Sequence, residues 1–371
     1  MAQEAETLHA GHGAGLLVVI VNYRVGPLVV NCLESLAREV ASHPGVRAIV
    51  VDNASGDGSD EEIETAIADR GWSGWAAVRR SPVNGGFAYG NNLAIRRALA
   101  APADGGRTAA PEFFWLLNPD TIVRPGAVAA ILSFFHRHDA AGVIGTAIDD
   151  DRGARWPFAF RFHSILGEIE SSSRSRLVGR LLARHSVLRQ MGDDPERVDA
   201  LSGASIVVRR AVFDSAGLLD ENYFLYYEET DFFHLVARAG WQCWYVPAAV
   251  VVHISGQSTG LTARDSAQRR VPNYWFASRR RYLVRNYGRL HAVATDLIAI
   301  SGLCCWRLRC LVRGQPHGGS PHFLRDFIAR SALIRRDIHA NAELARWRAD
   351  QGRVTGGSEK ARSPRRKVAV R

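Results

Sequence analysis

Three features of the chain predict an α/β fold with a mostly parallel sheet sandwiched by helices. Apolar runs of strand length occur at 16–22, 46–51 and 113–117, helical patterns lie between them, and polar residues cluster just past the end of each run. Runs that are continuously apolar, rather than alternating, belong to strands buried on both faces, and strands alternating with helices build a parallel, doubly wound sheet. Ligands of such sheets collect in the crevice at the carboxyl ends of the strands. Function is therefore to be sought in the residues that follow each run.

The 371 residues, 47% of them hydrophobic, suffice for one large domain or two ordinary ones. Residues 1–15 contain Glu4 and Glu6 and no Lys or Arg, and are expected to be flexible. The apolar run behind them is too short for a signal core or a membrane span, so a cytoplasmic setting is expected. Five cysteines, an odd number without a C-x-x-C pair, fit reduced thiols. The net charge of +10 is unevenly spread: residues 264–371 hold 24 Lys and Arg against 7 Asp and Glu, and the remainder carries a net −7. Such a basic end calls for an anionic partner, a membrane surface or nucleic acid.

Taken in order, 16–22 is the central strand and ends at Asn22. Pro27 opens a helix to about residue 41, with Leu28, Cys32, Ser35 and Leu36 on one face. The strand at 46–51 leads into Asp52-Asn53-Ala54-Ser55, where Asp52 reads either as an Asx-turn or as an acceptor for a ribose or base, and Ser59 or Asp60 caps the next helix. A third strand at 75–79 precedes Asn84-Gly85-Gly86-Phe87. The glycine pair allows a close backbone approach to a ligand, and a helix starting near Tyr89 offers N–H groups to a phosphate. No G-x-G-x-x-G and no P-loop is present, so neither a dinucleotide fingerprint nor a Walker site is available.

The strand at 113–117 ends in Asn118-Pro119-Asp120-Thr121, which places one carboxylate just past a strand end or, in the plainer reading, turns the chain toward a helix at 126–138. A strand at 143–148 follows. Periodicity is then lost from Asp149 to Arg197, which reads as a variable insertion or lid; Arg174, Arg176, Arg180 and Arg184 within it are suited either to an anion or to a solvated helix face. A strand at 201–208 and a short helix lead to Phe224-Leu225-Tyr226-Tyr227-Glu228-Glu229-Thr230-Asp231. Three carboxylates directly after four large apolar residues supply either dipole-favoured acids at a helix start or a general base whose pKa apolar neighbours raise. Strands at 241–247 and 250–253 end at His253. Asp52, Asp120, Glu229 and His253 thus all fall at strand ends or helix starts, and oxygen ligands plus one imidazole suit Mg²⁺ or Mn²⁺.

In its order of motifs the chain resembles the family 2 glycosyltransferases of the GT-A, Rossmann-like fold, especially their rhamnosyltransferase-like branch. The resemblance rests on Val19-Ile20-Val21-Asn22-Tyr23, Val50-Val51-Asp52-Asn53-Ala54-Ser55, Asn84-Gly85-Gly86-Phe87, Leu117-Asn118-Pro119-Asp120, the 224–231 segment and Val251-Val252-His253, over about residues 16–258. It implies a catalytic domain at 16–260, with 149–198 as the insertion. Asp52 is implied to hold the nucleoside, with Asn22, Asn53 and the Asn84-Gly85-Gly86 turn nearby. Asp120 matches the last residue of the family's D-x-D metal motif, whose first acid is replaced by Asn118, and His253 resembles the histidine that completes the site. Glu229 stands where the family's base, usually Asp, is found, with Glu228 and Asp231 as the other candidates.

The implied activity is inverting transfer of a sugar from a nucleoside diphosphate, dTDP-L-rhamnose first among donors and UDP- or GDP-sugars as alternatives. The acceptor implied is a polyprenyl-diphosphate-linked glycan of a surface polysaccharide. A non-catalytic nucleotide or nucleic-acid binder is the reading from another class, and no nucleic-acid partner is expected. Residues 261–350 are expected to be helical. Arg279, Arg280, Arg281, Arg285 and Arg289 are expected to place 290–312 on anionic headgroups, which makes the enzyme peripheral on the cytoplasmic membrane, the alternative being a helical lid packed on the catalytic domain, and 351–371 is expected to be disordered.

Overall fold

The structure, a computed structural model, describes residues 15–100, 110–156, 159–254, 270–316, 319–339, 341–342, 344–346 and 348. The N-terminal segment up to 14 and the tail at 351–371 lie outside the described residues. The first half runs β1 (Leu16–Asn22), α1 (Gly26–Ser42), β2 (Val46–Asp52), α2 (Ser59–Asp69), β3 (Ala76–Arg80), α3 (Gly86–Ala100), β4 (Phe113–Leu117), β5 (Thr121–Val123), α4 (Ala127–Arg137) and β6 (Ala141–Asp149). In the main sheet the strand order is β3-β2-β1-β4, then β11 (Ser205–Arg209), β6, β12 (Gln242–His253) and β5, with β9 (Glu196–Val198) also on β12. β1, β2, β3 and β4 are mutually parallel, and β6 is parallel to β12; β11, β5 and β9 run against their neighbours.

Alternate residues of β1 feed opposite layers. Leu16, Val18 and Ile20 pack with Val29, Leu33 and Ile63 of α1 and α2 and with Ile131 of α4. Leu17 and Val19 belong to the other layer, with Ile95 of α3 and with Phe213 and Phe233 of two helices further on, α7 (Arg210–Ala216) and α8 (Glu228–Arg238). That two-sided burial is what the continuous apolar runs require.

Several local expectations are corrected. Gly58, in the left-handed region, occupies the cap position of α2, and Ser59 is already helical. α3 starts at Gly86 rather than near Tyr89. The two strands expected around Pro247 are one strand, β12, whose register with β6 shifts between Val246 and Val250, where a residue without an N–H is accommodated by a bulge. The stretch expected to be irregular is ordered: β7 (Ala159–Phe160), β8 (Leu188–Arg189) and β10 (Ala200–Leu201) form a small sheet, and α5 (Ile165–Ser173) and α6 (Arg176–Leu181) lie between β7 and β8.

Beyond the sheet stand α9 (Asn273–Tyr287), α10 (Arg289–Val312) and α11 (Phe323–Arg330). Of the arginines expected to meet headgroups, Arg279, Arg280 and Arg281 are buried, and Arg285 and Arg289 bond protein groups while partly exposed. Arg279 bonds Asp296 of α10 and Glu168 of α5, Arg280 bonds Asp337, Arg281 bonds Asp220, and Arg285 bonds Asp220 as well. Arg289 donates to the Ala332 carbonyl. A guanidinium leaves water only where carboxylates and carbonyls replace its hydration, and each of these has found such partners. α10 correspondingly packs on α5 and α9 through Ala292, Thr295, Asp296, Ala299 and Leu303. Among the described residues no helix is long and apolar enough to cross a membrane.

One buried acid ties two helices of the same layer together. Glu39 of α1 accepts from the Gly126 N–H at 2.8 Å and the Val128 N–H at 2.9 Å, and so caps α4 from a different element. Glu39→Ala leaves these donors without a partner, and should lower unfolding free energy by about 2 kcal/mol in urea denaturation.

Candidate active site

The carboxyl end of β4 delivers Asn118, Pro119 and Asp120, and the chain returns at once as β5, antiparallel to the end of β12, with Thr121 opposite His253. That pairing brings Asp120 Oδ1 to 3.1 Å from His253 Nε2, with Asn118 Nδ2 3.4 Å from the same nitrogen. One imidazole nitrogen cannot both donate to a carboxylate and accept from an amide. A cation bound by Asp120 and His253, with Asn118 turned to present its oxygen, satisfies all three groups. One carboxylate, one imidazole and one amide oxygen fit Mg²⁺ or Mn²⁺ and leave positions for ligand oxygens. Among the described residues no group of three or more His, Cys, Asp or Glu could hold a metal, so a cation here would take its remaining ligands from water or a bound anion. Cys32, 3.5 Å from Thr121 Oγ1 beneath this turn, is an inert thiol whose pKa burial pushes up to about 12.

A cavity of about 400 Å³ opens beside Asn118, lined by Val21, Tyr23, Asn53, Asn84, Gly86 and Tyr274 among others. Asn22 and Asp52 lie buried at the ends of β1 and β2, engaged with each other at 2.8 Å. Asp52 also accepts from the Ser55 N–H at 3.1 Å and the Ser55 hydroxyl at 2.5 Å, so the turn geometry expected of it is present, and it does not line the cavity. Asn53 reaches the cavity. Its Nδ2 donates to Asn84 Oδ1 and the Gly86 carbonyl, while its buried Oδ1 has no hydrogen-bond donor among the described residues.

The glycine pair is required by the protein's own packing. Gly86 has φ +83°, and a Cβ there would fall 2.0 Å from the Phe224 carbonyl oxygen; one on Gly85 would strike the Tyr89 ring. The first N–H groups of α3 are also taken, Gly86 by Asn84 and Phe87 by the Phe224 carbonyl. Two of the N–H groups at this helix start are therefore already matched by protein acceptors.

Segment 224–229 forms the wall between this cavity and a second one. Tyr226 and Tyr227 both have positive φ, 68° and 69°, a strained pair of the kind that persists where surroundings enforce it. The second cavity, about 310 Å³, is lined by Glu229, Tyr226, His163, Glu168, Trp275 and Arg279 among others. The three sequence candidates part company here. Glu229 faces this cavity, with Gly203 against its side chain. Glu228 is buried and lines neither cavity, and, among the described residues, one oxygen of it and one of Glu229 have no hydrogen-bond partner. Asp231 points to α9, accepting from Asn286 at 2.6 Å with Arg285 at 3.5 Å. Burial raises Glu228 and Glu229 above the usual carboxylate range, and in Glu228 the charge of Glu229 raises it further. Burial also raises Asp231, against the opposing charge of Arg285.

A family model described as "Glycosyltransferase like family 2" matches residues 12–273. The chain belongs to that family. It is a glycosyltransferase of the GT-A fold, and among its relatives is an N-acetylglucosaminyl-diphospho-decaprenol L-rhamnosyltransferase of Mycobacterium tuberculosis. The two are 31% identical over 261 residues, 68% of this chain and 79% of the relative. Among solved structures, GalNAc-T7 with UDP, GalNAc and Mn²⁺ superimposes with a TM-score of 0.51 at 15% identity, over 85% of this glycosyltransferase and 57% of that chain, which supports the fold alone. A mannosyltransferase of Pyrobaculum calidifontis in complex with GDP-Man and Mn²⁺ gives 0.49 at 13% identity, over 89% and 84%.

Reading by sequence missed the walls of the second cavity. Trp275 and Arg279 come from α9, beyond the matched region, and His163 and Glu168 from a stretch without visible periodicity. No spacing signal connects them. The buried acids carry a testable cost. A carboxylate whose folded pKa is raised binds more protons folded than unfolded, so stability falls as pH rises from the unfolded value of about 4.3 to the folded one. Glu228→Gln removes one such group, and its melting temperature should fall less than that of the parent between pH 4 and pH 8, each unit of elevation being worth about 1.4 kcal/mol.

Proposed function

We propose that this glycosyltransferase moves L-rhamnose from dTDP-L-rhamnose to a polyprenyl-diphosphate-linked glycan, with inversion at the anomeric carbon. The observation that carries the reading is the position of Glu229: a carboxylate with a raised pKa on the wall that divides two cavities, one of them beside the Asp120–His253 pair. Donor and acceptor thus have separate compartments, with a base between them. The relative from Mycobacterium tuberculosis, whose name states both rhamnose transfer and a diphospho-decaprenol substrate, supports the choice of sugar and acceptor.

The donor's nucleotide occupies the cavity with Asn53 and Asn84, and the unmatched Asn53 oxygen receives an imide N–H of the base, which thymine and uracil both offer. Asn22 and Asp52 hold the Ser55 turn beneath it. Asp120, His253 and Asn118 are the residues that would hold Mg²⁺ or Mn²⁺. That ion supplies positive charge to the departing diphosphate. In the second cavity Glu229 accepts the proton of the attacking hydroxyl as oxygen bonds to C1 and the C1–O bond to the diphosphate breaks. Trp275 and Tyr226 offer faces on which a sugar ring stacks. The acceptor's lipid implies work at a membrane, as a peripheral protein of the cytoplasmic face.

Thermal denaturation with dTDP, UDP and GDP, each with Mn²⁺, Mg²⁺ or excess chelator, tests the donor site. A metal-dependent rise is expected with dTDP, and Asp120→Ala or His253→Ala should abolish its metal dependence. Failure of every nucleoside diphosphate to stabilise the protein sinks the reading. Glu229→Gln should keep the dTDP-induced rise while lowering kcat by roughly 10²- to 10⁴-fold. Because the base acts ionised and its pKa is raised, kcat/KM should climb with pH through a value above the ordinary glutamate range; a climb complete by about pH 5 excludes Glu229 as the base.

A further inference from the structure

Two of the arginines that the sequence marks as suited to an anion, Arg174 and Arg176, are free of carboxylate partners among the described residues. Arg174 and Arg176, at the α5–α6 junction, meet Arg309 of α10 and Arg313 just past its end around a pocket of about 580 Å³ that also contains Trp306 and Leu177. Among the described residues none of the four is paired with Asp or Glu; Arg309 donates to the Ser173 carbonyl, and Arg174 lies 3.9 Å above the Trp306 ring. Four guanidinium groups around one cavity repel each other unless an anion enters it, and guanidinium forks match phosphate oxygens. Arg174 itself has φ +47°, a left-handed conformation that a non-glycine residue adopts at a cost.

Next to this pocket α10 turns an apolar face outward. Leu290, Leu297, Ser301, Cys304, Leu308 and Leu311 recur at helical spacing, all exposed and none charged, opposite the face through which α10 packs on the protein. Leu308, Leu311 and Val312, beside Arg309 and Arg313, are 61%, 76% and 79% exposed. Leu177 and Leu181 of α6, four residues apart, are likewise 68% and 71% exposed. Leucines left in water beside unpaired arginines form an amphipathic surface, the pattern of a helix lying in a membrane interface.

We propose that the Arg174–Arg176–Arg309–Arg313 pocket is a phosphate site for an anionic phospholipid headgroup, and that Leu308, Leu311, Leu177 and Leu181 enter the bilayer around it. This rests on the reading of the enzyme as one that works at a membrane, and it specifies the surface that does so. The charge complementarity and the apolar rim together select a bilayer as the occupant: a free phosphate would use the arginines and leave the leucines in water.

Flotation of the full chain with vesicles of phosphatidylcholine, alone or mixed with phosphatidylglycerol, tests it, with dTDP and metal stabilisation measured in parallel on each variant. Binding to the anionic vesicles, weakened by salt, is expected. Arg176→Gln with Arg313→Gln should weaken it roughly twentyfold or more, and Leu308→Ser with Leu311→Ser roughly tenfold or more. Arg137→Gln with Arg152→Gln, the same charge change at exposed positions outside the pocket, should have little effect. Equal losses in the two arginine pairs would show attraction by net charge and overturn the site. Binding unaffected by any pair would overturn it while leaving the peripheral reading intact. No vesicle binding, with phosphate alone raising the melting temperature through Arg176 and Arg313, would make it a free-anion site and overturn the docking surface. A dimer that Leu308→Ser with Leu311→Ser converts to monomers, without change in vesicle binding, would assign the apolar face to a second copy. The dTDP response in each case reports on the transferase reading separately.

Discussion

Asp220 is the point on which the C-terminal half turns. Its carboxylate receives Arg281 at 2.5 Å as well as Arg285, both from α9, and its neighbours on that helix, Asn286 and Arg285, reach Asp231 in the first turn of α8. Burial pushes Asp220 upward, but the Asn222 N–H and the Arg281 guanidinium hold it below the usual carboxylate range, so it stays ionised where its partners need it. Through this cluster α9 is fixed against the helix that carries Glu229. α9 in turn supplies Trp275 and Arg279 to the second cavity and Arg279 to the α10 contact. An anchoring ion pair that is enclosed on both sides loses much more from removal of one partner than an exposed one, since the other charge is then stranded.

The sheet was legible in the sequence because its demands are local. A strand covered on both faces needs five or more apolar residues in a row, and 113–117 satisfies that by itself. Its carboxyl end therefore located Asn118 and Asp120, and the same logic located Asp52 and His253. β5 was not legible, since three residues of Thr-Ile-Val carry no period of their own; it exists because the end of β12 offers an edge to pair with. α5 was missed for a similar reason. Only one of its residues, Gly167, is buried, and the surface it covers belongs to α10, more than a hundred residues later.

The charge of the C-terminal region misled for a different reason. Composition counts guanidinium groups but cannot see which of them are neutralised, and the acids that neutralise Arg279, Arg280 and Arg281 stand between 17 and 111 residues away. Thr295 and Asp296, which interrupt the apolar run of α10, are for the same reason its buried anchor: Asp296 meets Arg279 and the Ala332 N–H. The glycine pair at 85–86 shows the converse. The requirement for glycine was readable, but the atom demanding it, the Phe224 carbonyl, was not.

The structure places its costly features along one line. Glu228 is buried and Glu229 half-buried, neither ion-paired among the described residues, and Tyr226 and Tyr227 hold unfavourable backbone angles immediately before them. A fold selected for stability alone would replace the carboxylates with apolar residues and the tyrosines with glycine. Their presence is intelligible if this segment must separate two ligands while exposing a base to one of them. The helical layer beyond it then works on both of its faces. α9 closes the second cavity from one side, while α10, packed on α9 and α5, presents leucines and arginines to the outside. If the acceptor is held in a bilayer by its lipid, as proposed, it can reach a base only when the protein sits at a fixed depth and orientation. A two-helix layer, with the second cavity on its inner face and the proposed docking surface on its outer one, would set that depth.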